Sequence, residues 1–167
     1  MKNFIFSCFF SALIVMSGQQ MLWAEEITQP MPNCDLLLAN KSANIHLKEH
    51  LGKVLYVDFW ASWCGPCVKS FVFLNQLNTE LKPQGLEIIG INLDENFSEA
   101  QTFLDKYPAN FTIATDQAQQ CATAFNVKAM PSSYLIDKKG NIRHVHLGFR
   151  ADEATKINAL IHQLLAE

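Results

Sequence analysis

The sequence carries no excess of positive charge: 13 Lys and Arg stand against 16 Asp and Glu. That balance excludes the basic face of a general nucleic-acid binder. Glycine and proline are sparse, at seven and six residues, which excludes collagen-like and disordered chains. No internal repeat or low-complexity stretch interrupts the 167 residues, and that length fits one domain with its own core. No uninterrupted apolar run reaches the ~20 residues of a membrane-spanning helix. Metal-ligand spacing is also lacking. Only His144-x-His146 comes close, its two rings on one side of a strand, and a zinc site needs four ligands. No metal and no cofactor is therefore expected. What the chain has in quantity is cysteine, at five residues.

One of the five belongs to an address. Lys2 precedes an uncharged stretch from Phe4 to Met16, and Met21-Leu22-Trp23-Ala24 leads into Glu25-Glu26. A basic start, a short apolar core and a small residue before a polar segment describe an export signal over residues 1–24. Cleavage after Ala24 is the expected outcome, with an uncleaved membrane anchor as the alternative. Only the uncleaved form would engage the membrane. Cys8 leaves with the leader, so Cys34, Cys64, Cys67 and Cys121 remain in the domain, residues 25–167. An even count in an exported chain permits disulfides.

The rest alternates. Residues 36–38 and 43–47 flank Asn40-Lys41-Ser42 as a hairpin. Val54–Trp60 and Leu86–Asn92 are short apolar runs rich in β-formers, so buried strands. Between them Phe71, Leu74, Leu77 and Leu81 mark one face of a helix ending near Lys82. Ser98 is placed to cap a second helix to about Tyr107, followed by a short strand over 111–114. Asp116 is placed to cap a helix carrying Cys121, and Asp152 a last one with Ile157, Leu160, Ile161 and Leu164 on one face. Lys138 to Asn141 reads as the turn of a late hairpin. This alternation predicts an α/β three-layer domain.

The chemistry concentrates at Cys64-Gly65-Pro66-Cys67. Two cysteines three apart at the mouth of a helix can close a small disulfide ring. The unpaired N–H groups of a helix start favour negative charge there. Cys64 is expected exposed at that end as a thiolate nucleophile, and Cys67, one turn in, as the resolving thiol.

Val57 to Cys67, reading VDFWASWCGPC, closely resembles the active-site strand and turn of thioredoxins. Val127 to Asp137, with Met130-Pro131, resembles the segment that holds that superfamily's cis-proline. The extra helix and strand near residues 98–114, the early hairpin and the leader resemble the TlpA-like, exported thiol–disulfide oxidoreductases. The resemblance implies a thioredoxin-like sandwich: a mixed sheet flanked by helices, an N-terminal hairpin and an inserted helix–strand element. It implies a cis Pro131 against the cysteine pair, with the Met130 backbone ready to pair with a client strand. Asp58 matches the superfamily's buried acid, expected to carry a raised pKa and to exchange a proton with Cys67; an ion pair with Lys53 or Lys82 is the alternative. Trp63 would offer an apolar landing surface, and Trp60 either shields the site or packs in the core. Asp94 and Glu95 are candidates to lie near the cysteines. Val72 departs from the family, standing where many relatives place a helix proline.

Cys34 and Cys121 are left over. A second, structural disulfide or two separate buried thiols are both open; a bridge would be worth roughly 4 kcal/mol in the chain-entropy model. The expected activity is reduction of disulfides in client proteins in the periplasm or another exported location. Such a reductase needs a membrane-bound electron donor, because that compartment has no reducing pool. A disulfide-forming oxidase, which would use an electron acceptor instead, is the nearest rival. A copper-delivery module using both cysteines and a distal His is a more remote one.

Overall fold

The computed structural model describes residues 29–40 and 42–167. The expected leader, its cleavage point, Cys8 and the first residues of the domain lie outside the described residues. Among the described residues, eight strands form one mixed sheet: β1 (Gln29–Pro30), β2 (Asp35–Leu38), β3 (Asn44–His46), β4 (Val54–Trp60), β5 (Leu86–Asn92), β6 (Thr112–Thr115), β7 (Ser132–Ile136) and β8 (Asn141–Leu147). Their spatial order is β1-β8-β7-β4-β5-β6-β2-β3. Strands β4, β5 and β6 run parallel, and every other pairing is antiparallel. The helices are α1 (Cys67–Leu81), α2 (Phe97–Lys106), α3 (Gln120–Ala124) and α4 (Ala154–Ala166).

Strand β4 is central and buried along its whole length, which explains its near-continuous apolar sequence. Its alternation feeds two cores. Val54, Tyr56 and Trp60 pack with Phe71, Leu74 and Leu77 of α1, Phe103 of α2 and Ile157 and Ile161 of α4. Leu55, Val57 and Phe59 face the opposite layer, made by α3 and the N-terminal segment through Met31, Leu36, Cys121 and Phe125. The layers are therefore helices, sheet, then α3 with the N-terminal segment, as the sequence predicts.

Local corrections have local causes. Asn96, not Ser98, caps α2: its side chain accepts the Ser98 N–H at 3.1 Å. Helix α4 has no side-chain cap, and Asp152 lies in a preceding 3-10 turn, residues 151–153. Asp116 does serve α3, accepting the N–H groups of Gln120 and Ala122 at 3.1 and 2.8 Å. Two glycines are required where they stand. Gly140 has φ +88° in the β7–β8 turn, where its N–H meets Asp137 O. A Cβ at Gly90, which pairs with Asp58, would lie 3.0 Å from Phe111 and 3.3 Å from the Trp60 indole nitrogen.

Cys34 and Cys121 form a disulfide, their Cα atoms 5.3 Å apart and both side chains buried. It joins the strand-bearing N-terminal segment to α3 across 87 residues of chain. Constraining so long a loop restricts the unfolded ensemble strongly. Replacing Cys34 and Cys121 together by Ser should lower unfolding free energy by about 2–4 kcal/mol. Urea unfolding checks this, and an unchanged midpoint would show that the bridge contributes nothing to stability.

Candidate active site

The sheet delivers the reactive turn. Strand β4 ends at Trp60, whose carbonyl accepts the Leu93 N–H at 3.0 Å, so the ends of β4 and β5 stay together. The chain then turns: Ala61 O accepts Cys64 N–H, and Cys64 O accepts Cys67 N–H, both at 3.1 Å. Pro66, with φ −61°, precedes the first helical residue, and α1 starts at Cys67. Cys64 and Cys67 form a disulfide with Cα atoms 5.4 Å apart.

Asp94 clamps this turn. Its carboxylate, 2% exposed, accepts the Ser62 N–H at 2.9 Å and the Ser62 hydroxyl at 3.0 Å. Asn92 Nδ2 donates to it at 2.7 Å. The acid next to the site thus holds the backbone two residues before Cys64, while Glu95 is exposed.

Burial separates the residues of the motif. Cys67 is fully buried and Cys64 is 5% exposed. Cys64 is therefore less open than the sequence predicts, because the ring it closes with Cys67 tucks its sulfur against the first core cluster. Trp63 is 70% exposed and stands as the apolar surface beside it. Trp60 does not flank the site. It is fully buried, with its ring centroid 4.8 Å from that of Phe71 and 5.0 Å from that of Phe103.

Two grooves meet at Trp63. One, about 490 Å³, is lined by Leu93, Ala122 of α3, Val127, Ala129 and Met130. The other, about 520 Å³, includes Cys64, Val68 and, from the inserted helix α2, Phe103 and Lys106. The Met130–Pro131 peptide is cis, and Pro131 is buried with its carbonyl accepting Gly148 N–H at 2.8 Å. Periodicity and motif spacing leave the α2 wall unassigned, because it takes the packed fold to bring Phe103 beside Cys64.

Asp58 lies on the face of β4 that α1 covers, between Tyr56 and Trp60. It is fully buried, and burial pushes its pKa up to about 7. Its Oδ1 accepts the Ser133 hydroxyl at 2.6 Å, which opposes part of that rise, while Oδ2 has no hydrogen-bond partner. The alternative ion pair with Lys53 is not formed: Lys53 Nζ meets Glu87 at 2.8 Å instead. The sequence does not single out Ser133, which follows a second serine, Ser132, at the start of β7; only its register opposite Asp58 distinguishes it. His144 and His146 do share a side of β8, with ring centroids 6.4 Å apart. No group of three His, Cys, Asp or Glu side chains that could hold a metal occurs among the described residues. No helix among them is long and apolar enough to cross a membrane.

Comparison with known proteins agrees with this geometry. The Redoxin family profile matches residues 26–161. Thiol-disulfide oxidoreductase ResA of Geobacillus kaustophilus is 31% identical over 120 residues, covering 71% of this chain and 69% of that protein. ResA of Bacillus thuringiensis strain Al Hakam is 34% identical over 109 residues, 65% of this chain and 63% of that protein. A Chlorobium tepidum protein assigned as the thiol:disulfide interchange protein DsbE superposes with a TM-score of 0.79 at 37% identity, covering 83% of this chain and 96% of that one. A Bacteroides thetaiotaomicron protein assigned as a protein disulfide isomerase shares the fold with a TM-score of 0.77 at 23% identity, over 84% and 91% of the two chains. With a thioredoxin-like sheet and a Cys64–Cys67 disulfide at the mouth of α1, the chain belongs to the Redoxin family, among its thiol–disulfide oxidoreductases.

Proposed function

We propose that this protein works outside the cytoplasm as a reductase of disulfides in client proteins, with Cys64 as nucleophile and Cys67 as resolving thiol. The observation that carries the reading is the unequal burial of the pair: Cys64 lines the groove beside exposed Trp63, and Cys67 lies wholly inside. A client disulfide can reach only the first sulfur. Cys64 thiolate attacks one client sulfur, and the other leaves as a thiolate. Cys67 then attacks the Cys64 sulfur of the mixed disulfide, releasing the second client thiolate and leaving Cys64–Cys67 oxidised. Two electrons pass to the client, and a membrane-bound dithiol donor restores the pair. The second disulfide, Cys34–Cys121, supports an oxidising compartment and hence export. Trp63, Met130 and Pro131 would form the client-binding rim.

Asp58 is assigned the proton of Cys67. A carboxylate with a pKa near 7 can take a thiol proton and return it at neutral pH. The helix start at Cys67 favours the thiolate that remains.

Substitutions at Cys64, Cys67 and Asp58 test these roles. Cys67→Ala should accumulate mixed disulfides between Cys64 and clients, visible as dithiothreitol-sensitive bands on non-reducing gels. Cys64→Ala should accumulate none, and an equal yield from the two variants would contradict the assigned order. Asp58→Asn should slow reduction of insulin by at least roughly tenfold at neutral pH. It should also stabilise the fold. The folded-state pKa of about 7 lies above the ordinary 3.8, so the folded state holds a proton that the unfolded state has lost between those values. Wild-type stability therefore falls as pH rises through that window and is flat above it. The advantage of Asp58→Asn in urea unfolding should grow from pH 4 to pH 7 and reach a few kcal/mol, an order-of-magnitude figure. A constant difference between the two proteins over that range would contradict the raised pKa.

A further inference from the structure

Helix α2 is fastened at both ends. Asn96 caps its start, and side-chain hydrogen bonds tie the segment after its end to α1. Asn75 Nδ2 donates to Pro108 O, and the Asn110 N–H donates to Asn75 Oδ1, both at 2.8 Å. Asn78 Nδ2 donates to Asn110 O at 2.7 Å, and Asn110 Nδ2 donates to Thr79 Oγ1 at 2.9 Å. Between these ends Phe103 is locked against Trp60, Phe71 and Tyr107, with ring centroids 5.0, 5.1 and 5.0 Å away. The wall that α2 gives to the Cys64 groove is therefore built before any client arrives, and a preformed wall spends no binding energy on ordering itself.

That wall carries charge in a pattern. Glu99, Thr102 and Lys106 all line the groove and are exposed. Their spacing of three and then four residues keeps them on one face of α2. Glu99 and Lys106 are separated by about 10 Å along the helix axis. The groove thus has an anionic end and a cationic end beside an apolar floor of Val68, Phe103 and Tyr107. Neither charge meets an opposite one among the described residues. Lys106 Nζ stands 5.2 Å from the Tyr107 ring centroid, a contact that keeps the ammonium beside the groove with its N–H donors unspent. Asp105, next to it in the chain, accepts Gln101 Nε2 at 2.9 Å instead.

The chemistry of Cys64 fixes what lies here. In a mixed disulfide the Cys64 sulfur is bonded to the client cysteine, so the residues beside that cysteine are held against the walls of this groove. Resting on the reading of Cys64 as nucleophile, we propose that α2 is a specificity wall that selects clients with an acidic residue a few positions to one side of the reacting cysteine. The client carboxylate meets Lys106, and the floor packs the side chains between it and the cysteine. An extended chain advances about 3.3 Å per residue, so the distance from Glu99 to Lys106 spans about three client residues. Glu99 repels an acid placed at its own end of the groove, which fixes the position that Lys106 reads.

The test uses Cys67→Ala protein and single-cysteine peptides activated as thionitrobenzoate disulfides. Cys64 thiolate attacks the peptide sulfur, the S–S bond breaks, and the coloured thionitrobenzoate thiolate leaves while the peptide stays on Cys64. Asp or Lys is placed at each of four positions on either side of the peptide cysteine, and the rate ratio of the two is taken within one protein. The ratio cancels any general change in Cys64 reactivity. It should favour Asp by about fivefold at one or two positions on one side only, the scale of an exposed charge pair gained and a like pair avoided. Lys106→Glu should invert that ratio, Lys106→Gln should bring it to about one, and ~1 M salt should do the same to the parent protein by screening. A ratio near one at every position, or a preference for Asp that persists in Lys106→Glu or in high salt, would overturn the specificity wall. Failure of every peptide to form an adduct on Cys64 would instead reject Cys64 as nucleophile, and the wall with it.

Discussion

An ionisable carboxylate in the middle of a strand that is buried on both faces is the constraint around which this molecule is arranged. All seven residues of β4 are buried, and Asp58 is its only acid. An unpaired charge there would be costly. The neighbours determine how the cost is met. Gly90 on one side cannot offer a partner, and the space above it is closed by Phe111, Ile113 and the indole nitrogen of Trp60. Ser133 on the other side supplies one hydrogen bond, to one oxygen. The acid is thereby left near the point where it can be either protonated or ionised at neutral pH. That is the condition a group needs to exchange protons with a thiol.

The same strand aims the sulfur chemistry. Its last residue, Trp60, is locked into the α1–α2 core, so the turn that follows leaves a rigid end. Asp94, from the loop after β5, then grips Ser62 by both its N–H and its hydroxyl. The two disulfides lie on opposite sides of this sheet. Cys64–Cys67 belongs to the core under α1, and Cys34–Cys121 to the core under α3. The second one has a consequence for the first. Helix α3 has only five residues, too short to be stable by its own hydrogen bonds, yet its Ala122 helps wall the groove that contains Trp63 and Met130. The Cys121 bridge and the Asp116 carboxylate hold that wall in place.

Much of this was readable from residues in order. The apolar runs of β4 and β5 and the helical stripe from Phe71 to Leu81 carry their own periodicity, and those elements fall where it places them. The reactive pair was legible because a short spacing and a helix start carry the chemistry locally. What was not legible depends on packing. The sequence leaves open whether Trp60 shields the site or packs in the core; as the last residue of a strand buried on both faces it packs in the core, whereas Trp63, in the turn beyond, is exposed. The α2 cap moved from Ser98 to Asn96 because either side chain suits that role and only backbone geometry decides. Ser133 became meaningful only through strand register, since residues 58 and 133 are neighbours in no linear sense.

The account centres on a dithiol poised to give electrons to client disulfides. A redox titration of Cys64–Cys67 against glutathione or dithiothreitol in the purified domain tests that directly. The account predicts a reduction potential near that of thioredoxin, about −270 mV, whereas a value near the ~−120 mV of the strong oxidant DsbA would contradict it and assign the protein to disulfide formation.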